Sequence, residues 1–359
     1  MMADYDYGNA RIRALKSRLL SRKQLDSLAG EDHLTGLIAA LIKTTYRKPI
    51  ETALTRTSGF DCISEALHHD LLNALGKVSG FFDEQAGEMV GIILRRYDIH
   101  NLKAILRGLS RHVSPDEILS TTIPVGELTS SILAELARSP DPRAAIDTLA
   151  MMGIVFAQPL LRLRAEHPGA GTAEMELALD RWYFQESYQY LEEARKAGKN
   201  LMDAIQLEAD LINMTTMLRF VHFPGERKFI REWMHIDQFD DLLVGPGKLP
   251  CPMLYEASRQ DTVEAAVAIF EHTLFQKPLT DGLKNYARSA LLSDIEKHLK
   301  RFRLHWMASQ IIKDPLGIGV LLGYFALKIN EINNIRWIAQ GINLGLKPDA
   351  IRVELEYPP

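Results

Sequence analysis

Asp98-Ile99-His100-Asn101-Leu102-Lys103-Ala104-Ile105-Leu106-Arg107 returns as Asp210-Leu211-Ile212-Asn213-Met214-Thr215-Thr216-Met217-Leu218-Arg219. It returns more loosely as Glu331-Ile332-Asn333-Asn334-Ile335-Arg336-Trp337-Ile338-Ala339-Gln340, which ends in glutamine where the first two copies end in arginine. Each copy opens with an acid, an apolar residue, a free position, an asparagine and a second apolar residue. The copies stand 112 and 121 residues apart. A second correspondence runs at a constant offset of 121, with Gly126, Leu128, Leu133, Ala144, Ala145 and Leu149 matched by Gly247, Leu249, Leu254, Ala265, Ala266 and Phe270. Solenoid units run to about 20–50 residues, so these spacings predict three copies of one larger domain. The boundaries fall near 1–120, 121–240 and 241–359.

Apolar spacing along the rest of the chain is helical. Ile12, Leu15 and Leu19 recur at i, i+3 and i+7 while Arg11, Arg13, Lys16 and Arg18 take the other faces, which predicts an amphipathic helix over Asn9–Leu20 with a basic outer side. Asp32–Leu54 repeats the pattern, and Pro49 suits the first turn of a second helix. No run alternates strictly, and Val, Ile and Thr are scattered rather than gathered into short blocks, so the fold class is all-α. Turn signals fall at Ser114-Pro115-Asp116, Ser139-Pro140-Asp141-Pro142, Gly245-Pro246-Gly247 and Lys347-Pro348-Asp349. At Pro315 a helix is expected to start with Asp314 as its cap, and Gly317, Gly319 and Gly323 would leave it bare enough for another helix to pack closely.

The 359 residues are 47% hydrophobic and 25% charged, which excludes disordered and disulfide-dense classes. A net charge of -4 offers no general attraction to a phosphate backbone, so no nucleic-acid partner is expected. Cys62 and Cys251 lie 189 positions apart, neither a disulfide framework nor a metal spacing. The longest uncharged stretches, Thr148–Leu161 and Pro315–Leu327, hold 14 and 13 residues, short of the roughly 20 that cross a bilayer. Asp4 and Asp6 ahead of any apolar run do not make an export signal. A chain that works without entering the membrane is expected.

Catalytic motifs fail on inspection, and neither a catalytic residue nor a cofactor or metal is expected. Gly317-Ile318-Gly319-Val320-Leu321-Leu322-Gly323 places its third glycine one position late for a dinucleotide fingerprint and follows no strand. Gly245-Pro246-Gly247-Lys248-Leu249 lacks the hydroxyl residue a phosphate loop needs. Glu65 with His68 and Glu232 with His235 have the spacing of a di-iron helix pair, but no further inward carboxylates can be assigned to complete a site. The acids Asp237, Asp240 and Asp241 suit a solvated helix start.

In the repeated motif the apolar positions share one helical face, at about 100° per residue, and the acid and asparagine lie at its edge. Such a pair either satisfies backbone groups of a neighbouring helix or lines a wet internal surface. The basic face of Arg11, Arg13, Lys16 and Arg18, continued by Arg22 and Lys23, suits an acidic surface, either protein or lipid headgroup.

The opening Tyr5-Asp6-Tyr7-Gly8-Asn9-Ala10-Arg11-Ile12-Arg13-Ala14-Leu15-Lys16-Ser17-Arg18-Leu19-Leu20 resembles that of the C subunit of the V-type and archaeal-type (A-type) rotary ATPases, the family of the eukaryotic d subunit. Pro315-Leu316-Gly317-Ile318-Gly319, Tyr324, Lys328, Glu331, Asn334-Ile335-Arg336 and Ile338 resemble its closing signature, and Tyr97-Asp98-Ile99 with Asn101-Leu102 and Ile105-Leu106-Arg107 its central element. The resemblance implies a funnel of three similar helical domains about a pseudo-threefold axis with a central cavity. It also implies a non-enzymatic rotor part, one copy per complex, peripheral at the cytoplasmic face. There it would link the proteolipid ring to the shaft made by the D and F subunits, coupling ATP hydrolysis or synthesis to proton or sodium transport without a small-molecule substrate of its own.

Three head-to-tail copies can close around an axial hole, and a hole that holds a shaft should be polar. The motif polar residues Asp98, Asn101, Arg107, Asp210, Asn213, Arg219, Glu331, Asn334 and Arg336 are the candidates to border it, and Arg11, Arg13, Lys16 and Arg18 are the candidates to face the ring. An unrelated helical protein-binding scaffold and a helical metalloenzyme are the alternative readings.

Overall fold

The computed structural model describes residues 4–194, 198–223, 225 and 239–358, and every regular element among them is helical. After α1 (Asp6–Lys16) the helices fall into three series of the same make, three short helices followed by two long ones. The first is α2 (Arg22–Leu28), α3 (Leu34–Ile42), α4 (Arg47–Ala53), α5 (Gly59–Ser79) and α6 (Glu84–Ser110). After α7 (Pro115–Ser120) come α8 (Ser130–Ala137), α9 (Pro142–Met151), α10 (Ala157–Glu166), α11 (Thr172–Ala194) and α12 (Lys199–His222). After a 3-10 turn at Phe239–Leu242 come α13 (Cys251–Ser258), α14 (Val263–Ala268), α15 (Gln276–Ser289), α16 (Leu292–Lys313) and α17 (Gly319–Asn343), and α18 (Pro348–Glu354) closes the chain. The acid–asparagine motif lies in the last long helix of each series.

The chain divides into two compact units, Gly91–Arg303 and the paired segments Met1–Val90 and Leu304–Pro359. In the paired-segment unit α17 packs against α1, α2, α3 and α5. Ile332, Ile335, Ile338 and Ile342 recur on one face of α17 and join Leu25, Leu37, Leu41, Tyr46, Ile50 and Leu67 in a single core. The two ends of the chain therefore share one hydrophobic centre. In the other unit α12 packs against α11, α13 and α14, with Met214, Met217 and Leu218 buried on α12 and Leu254, Ala257, Ala266 and Phe270 buried on α13, α14 and the residues after them.

The short helices carry local start signals. Ser21 and Gln24 form a reciprocal capping box at α2, and Thr129 caps α8. Asp141 caps α9 by accepting from Ala144 N–H at 2.9 Å, with Pro142 at the first helical position. Asp141→Ala is expected to cost about 1 kcal/mol of stability, read as a lower urea midpoint with an unchanged slope.

Two expectations from the sequence need correction. The N-terminal helix ends at Lys16 rather than Leu20, because Ser17, Arg18 and Leu19 close a turn through carbonyls 13, 15 and 16. Pro315 does not lie in the first turn of the last long helix. Residues 314–318 form a turn, α17 starts at Gly319, and Asp314 reaches over that turn to accept from Gly319 N–H at 2.8 Å. The expected close approach does occur: a Cβ at Gly323 would collide with Ile311 and the Met307 carbonyl of α16.

Candidate functional site

The motif acids and asparagines are all buried, with exposures from 0% at Asp98 and Asn101 to 4% at Asn334. Their polar atoms are bonded mainly to backbone at the entry to a short helix, the first of the two alternatives the sequence left open. Asp98 accepts from Glu127 N–H at 2.9 Å and Leu128 N–H at 3.0 Å, one bond to each carboxylate oxygen, while Asn101 exchanges two bonds with Ile123 at 2.7 and 2.8 Å. Asp210 does the same with Lys248 and Leu249 N–H, both at 3.0 Å, and Asn213 accepts from Val244 N–H at 3.0 Å. The recurring Gly126 and Gly247 are required here, since a Cβ at either position would fall on the aspartate carboxylate. Burial pushes Asp98 up to about 6, against the pull of the two N–H donors, and raises Asp210 in the same direction for the same reason.

The third joint has the same plan, but it ties the two ends of the chain together. Asn334 exchanges two bonds with Glu356, at 2.8 and 3.1 Å, and Asn330 adds a third to the same carbonyl at 2.9 Å. Glu331 accepts from Leu20 N–H through Oε2. Leu20 immediately precedes the cap of α2, as Leu128 precedes that of α8 and Leu249 that of α13. The longer acid has a free oxygen, and Oε1 takes the Tyr46 hydroxyl at 2.7 Å and Lys328 Nζ at 2.9 Å. Lys328 also donates to the Tyr46 hydroxyl at 2.9 Å and pairs with Asp70 at 2.6 Å. Two carboxylates thus share one buried ammonium, and burial together with both acids holds the Tyr46 phenol well above its ordinary value. The tail continues into Tyr357, whose hydroxyl donates to Asp26 at 2.5 Å while Arg22 lies over its ring.

The motif arginines are exposed. Arg107 makes a two-pronged pair with Glu176 at 2.9 and 2.6 Å, and Arg219 binds Glu296 at 3.1 and 2.7 Å. Arg336 is exposed, and its charge helps burial depress the pKa of His68. Two positions before the first two acids stand Arg96 and Glu208, which pair with each other, and Arg303 joins Glu208 at 2.7 Å.

On α1, Arg11 binds the Tyr7 hydroxyl at 3.1 Å and lies over the Phe81 ring, Arg13 reaches the Pro315 carbonyl at 2.5 Å and Lys16 is exposed, as is Arg18 in the turn that follows the helix. Glu65 accepts from Thr57 and lies 3.6 Å from Arg56. Asp241 pairs with Arg181, and Asp240 accepts from the Cys251 thiol, whose pKa is pushed up to about 11, mainly by burial. Glu232, His235 and Asp237 lie outside the described residues. No helix among the described residues is long and apolar enough to cross a membrane.

Sequence reasoning missed a second repeated signature. Tyr46-Arg47-Lys48-Pro49-Ile50, Phe156-Ala157-Gln158-Pro159-Leu160 and Phe275-Gln276-Lys277-Pro278-Leu279 each cap the third short helix with an aromatic residue that is at most 1% exposed. Aromatic, two free positions, proline and an aliphatic residue was the signal available. Only the first copy carries a hydroxyl, and that hydroxyl completes the third joint.

Three helical series and three joints of one plan define an all-helical repeat protein. Residues 8–354 match the family model described as ATP synthase (C/AC39) subunit. The C subunit of the A-type ATP synthase of Methanosarcina acetivorans is 27% identical over 359 residues, covering 98% of this chain and 93% of that protein. The same-named proteins of Haloferax volcanii and Methanocaldococcus jannaschii are 24% and 22% identical over 98% of this chain, covering 97% and 86% of their own lengths. The chain belongs to the ATP synthase (C/AC39) subunit family, and so is a subunit of a rotary ATPase.

Proposed function

We propose that this chain is the non-catalytic coupling part of the central rotor, linking the membrane proteolipid ring to a shaft made by the D and F subunits. In this reading ATP hydrolysis or synthesis drives, or is driven by, proton or sodium movement. The family match over residues 8–354 carries the reading. The three domains near 1–120, 121–240 and 241–359 would stand about a pseudo-threefold axis as a funnel. The buried motif acids and asparagines would stiffen its wall from within, and one copy would sit peripherally at the cytoplasmic face. The buried joints support a mechanical role: an acid that holds two backbone N–H groups at a helix entry resists shear between successive helices far better than an exposed ion pair.

The exposed basic side of α1 is the proposed ring-facing surface. Reconstitution with a solubilised proteolipid ring and the D–F shaft tests both statements. The wild-type chain is expected to bridge the two, and simultaneous charge reversal at Arg11, Arg13 and Arg18 is expected to weaken ring binding at low salt while leaving shaft binding in place. A wild-type chain that binds neither partner defeats the coupling reading. A charge-reversed chain that assembles normally removes α1 from the interface alone.

A further inference from the structure

We infer that residues 5–20 form a strap that docks and undocks as a unit, with Glu331, Tyr46 and Lys328 as its latch. This inference is independent of the rotor reading.

Among the described helices α1 alone is not joined to a preceding motif helix: α7, the 3-10 turn and α18 each follow one. Only Tyr5, whose ring meets Phe82 edge-on, Gly8, Asn9 and Ile12 of the strap are buried, so two apolar side chains, Tyr5 and Ile12, supply most of the area that opposes its release. Its polar ties to the rest of the unit are side chain to backbone, Asn9 Nδ2 to the Gly317 carbonyl at 3.0 Å and Arg13 to the Pro315 carbonyl. The other amide atom of Asn9, Oδ1, is buried without a partner. That docked state therefore carries an uncompensated polar group, which favours detachment.

The base of the strap is where the third joint departs from the other two. Asp98 and Asp210 each hold two successive N–H groups of a segment that the same chain enters after its motif helix. Glu331 instead holds the single N–H of Leu20, while Leu19 N–H turns back to the Lys16 carbonyl. One bond replaces two, and the segment it holds belongs to the opposite end of the chain. The Tyr46 hydroxyl and the Lys328 ammonium aim the Glu331 carboxylate at that N–H. Phe156 and Phe275 at the matching places supply no such group, because a doubly bonded aspartate needs no aiming. The core of α2–α5 with α17 meets the strap through the partly buried Leu20 at its base, and its buried members all lie outside the strap, so undocking leaves them together.

Amide hydrogen exchange on the full chain tests the inference. Amides of α1 are expected to exchange faster than those of α5 in the native protein. Tyr46→Phe should raise strap exchange by about tenfold, the loss of one hydrogen bond to a charged group, with the Glu127, Leu128, Lys248 and Leu249 amides unchanged. Arg13→Ala, which does not touch the buried latch, should speed the same strap amides. Protection of α1 equal to that of α5, or a Tyr46→Phe effect spread evenly over all three joints, overturns the strap. An Arg13→Ala chain with unaltered strap exchange also counts against it.

Discussion

Lys328→Met is expected to cost about 3–5 kcal/mol of stability, the scale for removing one partner of a buried ion cluster. The Lys328 side chain is 8% exposed and lies 2.6 Å from Asp70, 2.9 Å from Glu331 and over the ring of Tyr46. Methionine fills the same volume and loses no apolar contact, so the cost isolates the charge. What remains is two carboxylates facing a pocket with no cation, plus a Tyr46 hydroxyl that can satisfy only one of them. The size of the loss therefore comes from stranding the acids rather than from the intrinsic strength of the pair.

A double variant separates the two accounts. Adding Glu331→Gln to Lys328→Met removes one stranded charge, keeps the amide oxygen as acceptor for Leu20 N–H, and turns the other amide atom into a donor that the Tyr46 hydroxyl can accept from. The double variant is expected to be more stable than the sum of the single losses predicts, with a coupling of about 1–3 kcal/mol. Urea unfolding of the four proteins gives the result directly. Additive losses would mean that Lys328 and Glu331 act separately, and would reduce the third joint to an ordinary helix cap.

What the sequence revealed and what it hid follow from the same geometry. The acid and asparagine of each motif stand three residues apart, so one helix edge carries both, and that edge was readable from the motif alone, although it left open whether the pair binds backbone or lines a wet surface. Which backbone they bind was half readable: Gly126 and Gly247 keep a constant offset, and they are the residues that let the carboxylates come close. The third joint has no such glycine, since its partner segment lies about 310 residues earlier at Leu20, and no periodicity links the two ends of a chain. The short helices were hidden for a different reason. Helices of 6–10 residues, such as α8, α9, α13 and α14, span too few turns for apolar periodicity to stand out. Their order is instead marked by caps and by the buried aromatic before proline. His68-His69-Asp70 reads from the sequence as a helix surface or an inter-helix hydrogen bond, and only Lys328, placed 2.6 Å from Asp70, decides for the second.

Asp98→Ala is expected to cost about 2–4 kcal/mol at neutral pH, because the Glu127 and Leu128 N–H groups lose a charged acceptor at a 0% exposed site. Its pH dependence distinguishes this joint from an exposed cap. Burial raises the folded Asp98 from the ordinary 3.8 to about 6, so between those values the folded state binds a proton that the unfolded chain releases. Stability from this group is then fully present below about pH 4 and declines as pH rises through about 6, by roughly 3 kcal/mol in total. Asp210 is shifted in the same direction and adds a decline of the same sign. Other carboxylates titrate in this range, so the quantity to follow is the difference between wild type and Asp98→Ala. That difference should be larger at pH 4.5 than at pH 7.5, because the variant has lost the group that makes the wild type decline. A difference that grows with pH would mean that the two N–H bonds outweigh desolvation and hold the carboxylate below its ordinary value. The joint would then be strongest at neutral pH, with the aspartate acting as a permanently charged clamp instead of a buried acid kept ionised at a cost.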